Sequence, residues 1–274
     1  MEIMKKIDFG FGFRLLLGIV FISPILMGFV FSFLPNDMLD GLPNMSEYFE
    51  YFTFENYVWV FDHIPILRYV SNSLIVCLAI IIAQIIISSL AAYAFSFFKF
   101  KGKDLLFQLI LIAMMIPGQV TTIANFLTVQ DMGLLNSYMG LCIPYMIGGS
   151  AIFLMRQSYM TIPKELKEAS MIDGCGDMHF LFKIAVPLSM PTIAALAIHL
   201  FIDIYNLYLW PILIGQNQDM YTIQVGMSML VQSDATQYGR VLAGAMISIF
   251  IPVVTFLIGQ DYLIKGMTAG AVKG

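Results

Sequence analysis

The chain is 274 residues long, 59% hydrophobic and only 12% charged, with a formal net charge of −4. A soluble domain carries about 25% charged residues, and runs of about 20 apolar residues are long enough to cross a bilayer. This composition excludes an ordinary soluble enzyme and predicts an all-α membrane protein. The three cysteines are far apart and the three histidines are scattered, so neither a metal site nor a redox site is predicted.

Six apolar runs predict six transmembrane helices in a single domain that covers residues 1–274. The first run is too long for the apolar core of a signal peptide and is interpreted as a retained span. An acidic, aromatic-rich segment over 35–69, a charged loop over 158–183 and a polar loop over 212–240 separate some of the runs. The predicted spans are 13–34, 70–97, 105–129, 138–157, 184–211 and 241–263, followed by a tail over 265–274.

The basic residues are sorted between the two sides of the membrane. If the N-terminus is cytoplasmic and the chain alternates across six spans, every Lys and Arg lies inside except Arg68 and Arg240. Cytoplasmic loops of membrane proteins carry an excess of Lys and Arg. We therefore expect both termini and the loop over 158–183 to lie in the cytoplasm.

Polar side chains are concentrated in the third and fifth predicted spans. Such groups are costly in lipid, so they face protein or a cavity. They are candidates for lining a translocation path, and structural hydrogen bonds to other helices are the alternative. The candidates are Gln119, Thr121, Thr122 and Asn125 in the third span and Asp203, Tyr205, Asn206 and Tyr208 in the fifth.

The loop over 158–183 predicts two short helices. Pro163 suits the first turn of a helix, and Gly174 is a natural helix stop. Asp177 suits the cap of a second helix that ends before Pro187. The first helix is amphipathic, and two functions fit it: docking in the groove of a partner protein, or lying on the membrane surface.

The spacing within this loop resembles the Glu-Ala-Ala loop of ATP-binding-cassette import permeases. Glu168-Ala169-Ser170 is followed after three residues by Gly174, and after nine more by Ile184-Ala185-Val186-Pro187. Ser170 and Val186 replace the Ala and Leu of the family pattern. Other segments resemble the carbohydrate-uptake branch and its maltose-permease-type members: Asn72-Ser73, Ala91-Ala92-Tyr93-Ala94, Met115-Ile116-Pro117, Gly133-Leu134-Leu135-Asn136, 162–166 and 266–274.

The resemblance implies a type I importer permease in the bacterial cytoplasmic membrane. Its partners would be a second homologous permease in a heterodimer, two ATP-binding-cassette ATPase subunits, an extracellular substrate-binding lipoprotein and membrane lipid, with no nucleic acid. It implies that the coupling loop docks on the ATPase through Glu165, Glu168, Ala169, Ser170, Asp173 and Gly174. It also implies that the tail reaches the ATPase dimer interface through Thr268, Gly270 and Lys273.

The sequence contains no Gly-x-x-x-x-Gly-Lys-Ser/Thr loop that could hold nucleotide phosphates. We therefore expect no catalytic residue and no cofactor in this chain, with ATP and Mg²⁺ bound by the partner ATPase. The expected substrate is a sugar or oligosaccharide, with glycerol 3-phosphate or another polyol phosphate as the alternative. A secondary transporter and a membrane-embedded enzyme are more remote alternatives.

One segment departs from the family pattern. The family often has Trp-Asn-Asp-Phe-Leu-Trp-Pro late in the fifth span, whereas this chain has Tyr205-Asn206-Leu207-Tyr208-Leu209-Trp210-Pro211. The family's Asp after the Asn is missing, and Asp203 lies three residues before Asn206 instead. Substrate contacts are therefore not transferred directly from the family to this segment.

Overall fold

The computed structural model describes residues 9–39, 50–233 and 237–268, and side chains within 11–39, 50–233 and 237–260. Within these ranges every regular element is a helix, which confirms the predicted all-α class. The α-helices are α1 (Phe9–Phe31), α2 (Asn36–Leu39), α3 (Glu55–His63), α4 (Ile66–Phe97), α5 (Lys103–Met114), α6 (Gly118–Asp131), α7 (Tyr138–Cys142), α8 (Gly149–Met160), α9 (Lys164–Ile172), α10 (Asp177–Phe180), α11 (Val186–Leu188), α12 (Met190–Tyr205), α13 (Leu209–Ile214), α14 (Ile223–Ser233) and α15 (Tyr238–Thr268).

Three of the described helices, α1, α4 and α15, are long and apolar enough to cross a membrane alone. Three further crossings are possible by bent pairs of helices. These pairs are α5 with α6, bent by 97°, Tyr138–Tyr145 with α8, bent by 52°, and Asp177–Leu188 with α12, bent by 75°. The six predicted spans therefore match the described helices if each bent pair counts as one span.

The third predicted span is not one continuous helix, so that part of the prediction was wrong. Helix α5 has 12 residues, which makes it about 18 Å long at ~1.5 Å per residue. Pro117 follows it in an extended conformation, with φ −60° and ψ 130°. A proline disfavours helical conformation in the residue before it, so α6 starts in a new direction at Gly118.

The chain divides into two compact units, one formed by residues 1–67 and 226–250 and the other by residues 68–225 and 251–274. In the first unit, buried Asn56 of α3 holds the end of α1. Its side-chain amide donates hydrogen bonds to the backbone oxygens of Ser32 at 3.0 Å and Leu34 at 2.8 Å. The Ser32 hydroxyl lies 2.7 Å from that of Tyr57. The two amide bonds satisfy backbone carbonyl groups in the turn that follows α1.

In the second unit, two adjacent residues near the start of α4 hold a distant loop. The side-chain amide of Asn72 donates to the backbone oxygens of Asp219 and Tyr221, both at 2.9 Å. The Ser73 hydroxyl accepts a hydrogen bond of 2.9 Å from the backbone N–H of Ile223. This region was predicted to be a polar loop over 212–240, and that prediction was wrong, because α14 lies within it and α13 extends into it.

Candidate functional site

Helix α9 forms where the sequence predicts the first helix of the charged loop. Pro163 precedes it, and Glu165 lies in its first turn. Gly174 follows it with φ +78°, a left-handed conformation that only glycine adopts without strain. The N–H of Cys175 donates to the oxygen of Ser170 at 2.9 Å, and that of Gly174 to Met171 at 3.1 Å. These two bonds form a Schellman motif, which confirms Gly174 as the helix stop.

The surface of α9 carries most of the residues predicted for docking. Glu165, Glu168, Ala169, Asp173 and Gly174 are all exposed. Ser170, in contrast, is buried against its own chain, and its hydroxyl donates to the backbone oxygen of Lys167 at 2.7 Å. The structure therefore brings every predicted docking residue except Ser170 to the accessible surface.

Exposed apolar side chains lie beside these charges, and sequence reasoning missed them. Ile172 at the end of α9 is 87% exposed, and Met171 and Met178 are also exposed. Single exposed apolar residues are ordinary, but adjacent ones beside charged groups are typical of protein contacts. A departure from the amphipathic pattern in the last turn of α9 was the available signal.

The second predicted helix also forms, but its expected cap was wrong. Helix α10 runs from Asp177 to Phe180, and Gly176 occupies the capping position without a side-chain hydrogen bond. The carboxylate of Asp177 instead accepts hydrogen bonds from Lys167 and Tyr93, of which the bond from the lysine joins two opposite charges.

Pro187 does not end this helical stretch, contrary to prediction. A π-helical turn over Leu181–Ala185 follows α10, and α11 continues to Leu188. The wider turn accommodates a residue that lacks a backbone N–H. The sharp bend comes two residues later, between Leu188 and Met190.

Lys167 is the inward-facing charged residue of α9, and its side chain is only 12% exposed. Its ammonium group donates to the Tyr93 hydroxyl at 2.6 Å and to the Asp177 carboxylate at 2.5 Å. Burial lowers the pKa of Lys167, but its hydrogen bonds to Asp177 and Tyr93 raise the pKa more, so the net pKa lies above the ordinary value. Lys167 is therefore a charged group held inside the protein at neutral pH.

The polar candidates of the third span all lie on α6. Gln119 is exposed, while Thr122 and Asn125 are partly buried. Their spacing of three residues places them along one side of the helix. The hydroxyls of Thr121 and Thr122 donate to the backbone oxygen of Gly118, at 2.9 and 3.3 Å. These two hydroxyls are thus satisfied within their own helix.

The candidates of the fifth span occupy different environments at the end of α12. Asp203 is exposed and lies 3.4 Å from the side chain of His199, one turn earlier. The Asn206 amide donates to the backbone oxygen of Ile202 at 2.8 Å and remains exposed. Tyr208 is exposed as well, but Tyr205 is 2% exposed and stacks on Phe201. Asp203, Asn206 and Tyr208 are therefore exposed in this chain, whereas Tyr205 is buried.

The predicted ATPase-interface tail falls almost entirely beyond the part of the chain that the structure describes. Thr268 is the last residue of α15, and Gly270 and Lys273 lie outside the described residues. In the part of the chain that the structure describes, no group of three His, Cys, Asp or Glu side chains is arranged to hold a metal ion.

Comparison with known proteins relates the chain to transport permeases. The family model described as "Binding-protein-dependent transport system inner membrane component" matches residues 84–268. The permease protein AraQ of the arabinooligosaccharides transport system of Halalkalibacterium halodurans is 33% identical over 81% of this chain and 80% of its own length. The Bacillus subtilis AraQ protein is 29% identical over 96% of this chain and 94% of its own length. The permease protein UgpE of the sn-glycerol-3-phosphate transport system of Yersinia pestis is 40% identical over 72% of this chain and 70% of its own length.

Solved structures show the same fold. A bacterial ABC transporter involved in the import of the acidic polysaccharide alginate has a chain that matches with a TM-score of 0.78 at 22% identity, covering 93% of this chain and 96% of that one. A bacterial alginate ABC transporter in complex with its pentasaccharide-bound periplasmic protein matches with a TM-score of 0.65 at 17% identity, covering 97% of this chain and 96% of that one. The family match confirms the resemblance inferred from the Glu-Ala-Ala loop: this multi-pass membrane protein belongs to the family of binding-protein-dependent transport system inner membrane components.

Proposed function

We propose that this chain is the permease subunit of an ATP-driven importer for a sugar or oligosaccharide. With a second homologous permease it forms a heterodimer, and each subunit supplies half of the translocation path. The sequence has no phosphate-binding loop, so two separate ATP-binding-cassette subunits bind ATP and Mg²⁺ and hydrolyse the nucleotide. An extracellular binding lipoprotein delivers the substrate. Family membership supports this assignment.

The exposed surface of α9 is the observation that carries the energy-coupling part of the proposal. Acidic groups at Glu165, Glu168 and Asp173 lie beside exposed Met171 and Ile172 on a short helix with a sharp Gly174 stop. A charged helix with an apolar edge fits a groove that is basic at its rim and apolar at its centre. We assign that groove to the ATPase, with Glu168 pairing with a basic residue there. The tail residues Thr268, Gly270 and Lys273 reach the ATPase dimer interface.

The distribution of basic residues supports a cytoplasmic position for α9 in a bacterial cytoplasmic membrane. All Lys and Arg except Arg68 and Arg240 fall on one side when the chain alternates across six spans. That side holds both termini and α9. ATPase subunits and their ATP are also cytoplasmic, so the docking surface faces the compartment that holds its partner.

The docking assignment is tested by reversing one charge. Glu168→Lys places a cation where the proposal requires an anion, so we expect loss of the ATPase from the affinity-purified complex and loss of uptake. Asp104→Lys is the matched control, because Asp104 is an exposed acid in the first turn of another helix, α5. A Glu168→Lys complex that retains its ATPase and imports at the normal rate would refute docking through α9.

Glycerol 3-phosphate is the second candidate substrate, because a permease named for its transport is 40% identical to this chain. A phosphorylated substrate favours an available cation in the path. The two predicted outer cations are already engaged: Arg68 lies 2.7 Å from Asp219, and Arg240 lies 4.2 Å from the Trp59 ring. This supports the neutral sugar. Uptake assays distinguish the two substrates. They use proteoliposomes that contain the whole transporter and its binding protein, with labelled arabinooligosaccharide and glycerol 3-phosphate as the two probes.

A further inference from the structure

The Lys167 ammonium group belongs to a closed hydrogen-bond network that joins three helices. It lies on α9, its partner Tyr93 lies on α4, and Asp177 is the first residue of α10. The Tyr93 hydroxyl in turn donates to Asp177 at 2.9 Å. Each member thus contacts the other two, and every contact involves at least one ionised group, which makes these bonds stronger than neutral ones.

Aromatic rings enclose the same ammonium group. It lies 4.7 Å from the centroid of the Phe180 ring and 5.4 Å from that of Tyr93. Phe180 is fully buried and packs edge-on against Phe97 of α4, at 5.4 Å between centroids. Cations are attracted to ring faces, and more strongly where water is excluded. The surroundings of Lys167 therefore suit a cation: its own side chain is 12% exposed, although that of its partner Asp177 is half exposed.

Few other side chains tie α9 to the rest of the described chain. Ser170 is the only buried residue of α9, and its hydroxyl bonds to the helix's own backbone. The connections at both ends of α9 contain helix-breaking residues, Pro163 before it and Gly174 after it. Within the described chain, the Lys167 network consequently supplies the charged contacts that hold α9 against α4, a helix of 32 residues that is long and apolar enough to cross a membrane.

We propose that Lys167 is a positioning residue that fixes α9 to α4 and α10, so that a displacement of α9 is passed to a membrane-spanning helix. This inference rests on the proposed docking of α9 on an ATPase. Docking and transmission use different sides of the helix: Glu165 and Glu168 are exposed, whereas Lys167 is directed into the protein. Variants on the two sides therefore separate the two roles.

The test uses Lys167→Met in the complete transporter, reconstituted in proteoliposomes with its binding protein. Methionine keeps an unbranched apolar side chain in the site and removes all the ammonium contacts. Hydrogen bonds to charged groups of this kind shift an equilibrium by about tenfold or more. We expect the ATPase to co-purify normally, hydrogen exchange of the α9 amides to accelerate by about tenfold, and more ATP to be hydrolysed per solute imported. Lys183→Met, at an exposed lysine outside α9, is the matched control.

Two further variants keep the test decisive if Lys167→Met does not assemble. Asp177→Asn and Tyr93→Phe each remove one partner and leave the lysine in place. Both are expected to raise the ATP consumed per solute in the same direction. Adding Lys167→Met to Asp177→Asn is expected to add less than the sum of the single effects, because members of one network are not additive.

The outcomes distinguish failure of this inference from failure of the proposed docking. If Lys167→Met releases the ATPase while Lys183→Met does not, Lys167 acts in docking, and the positioning role is wrong. If all the network variants retain the ATPase and the normal ATP cost per solute, the positioning role is also wrong. If Glu168→Lys has no effect while Lys167→Met uncouples transport, the docking surface is wrong, and force reaches α9 by another contact.

Discussion

The hydroxyl of Tyr138 donates a 2.6 Å hydrogen bond to the side-chain oxygen of Asn72, whose amide nitrogen bonds to the backbone oxygens of Asp219 and Tyr221. Both N–H donors and the oxygen of one buried amide thus connect three parts of the chain that are far apart in sequence. Asn72 is 2% exposed, so water cannot replace these bonds if the side chain is removed. Asn72 is therefore a principal anchor of the loop before α14, together with the neighbouring Ser73.

Asn72→Ala is therefore expected to destabilise the protein by ~1–3 kcal/mol, the cost of leaving buried polar groups unpaired. The measurement is the melting temperature of the purified transporter, which is expected to fall. Arg68→Ala is the control: Arg68 pairs with the same Asp219 at 2.7 Å, but both side chains are more than half exposed. Exposed ion pairs contribute about 0–1 kcal/mol, so this control is expected to change little. Equal effects of the two variants would contradict the argument.

Gly174→Ala is expected to destabilise the end of α9 through backbone strain alone. A methyl group added at Gly174 meets no atom within 4 Å, but its φ of +78° costs an alanine roughly 1–2 kcal/mol. Gly176→Ala is the matched control, since its added methyl also meets nothing and its φ is −71°. The measurement is the hydrogen-exchange rate of the backbone amides at positions 174 and 175, which is expected to rise in Gly174→Ala and to stay unchanged in Gly176→Ala. The strain argument fails if both variants exchange alike.

Tyr205→Ala is expected to impair folding rather than transport chemistry. The side chain is almost fully buried and stacks on Phe201 with 5.4 Å between ring centroids. Truncating a buried aromatic residue costs about 3–5 kcal/mol, because a cavity remains. The amount of assembled transporter recovered from the membrane is the measurement. Normal recovery with abolished uptake would instead restore Tyr205 to the translocation path.

Asp203→Asn and Gln119→Leu are expected to change uptake without changing stability. Both side chains are exposed, so neither supports the packing of the described chain. Their loss would remove hydrogen-bonding groups that a sugar can use. Initial uptake rates across a range of solute concentrations, measured with matched melting temperatures, separate the two effects. Unaltered uptake in both variants would exclude these residues from the path.

Local signals made α9 predictable from the sequence. Pro163, the acidic first turn and Gly174 act within a few residues of one another, so they specify a helix without knowledge of the rest of the fold. The apolar runs specified membrane spans for the same reason, since length and composition decide whether a segment crosses a bilayer. The Glu-Ala-Ala spacing identified the family because it also lies within one short segment.

Distant partners decided the features that the sequence did not predict. Asp177 was expected to cap its own helix, but Lys167 and Tyr93 bind its carboxylate, and Tyr93 is 84 residues away in the chain. The roles of Asn72 and of buried Tyr205 also depend on contacts that no local pattern encodes. Pro117 was a local signal for a break in the third span. The apolar run around it does not specify that α5 and α6 meet at an angle of 97°.

The break between α5 and α6 has a consequence for what surrounds the backbone at that point. Helix α5 is about 18 Å long, whereas the hydrocarbon core is ~30 Å thick. The chain therefore bends before a span of this length is complete, and the last turn of α5 and the first turn of α6 leave backbone groups without partners inside their own helices. Hydrocarbon tails offer no hydrogen bonds, so an interruption of this kind persists only beside water or another polypeptide. The backbone at this bend is accordingly expected to contact water or another polypeptide as well as lipid.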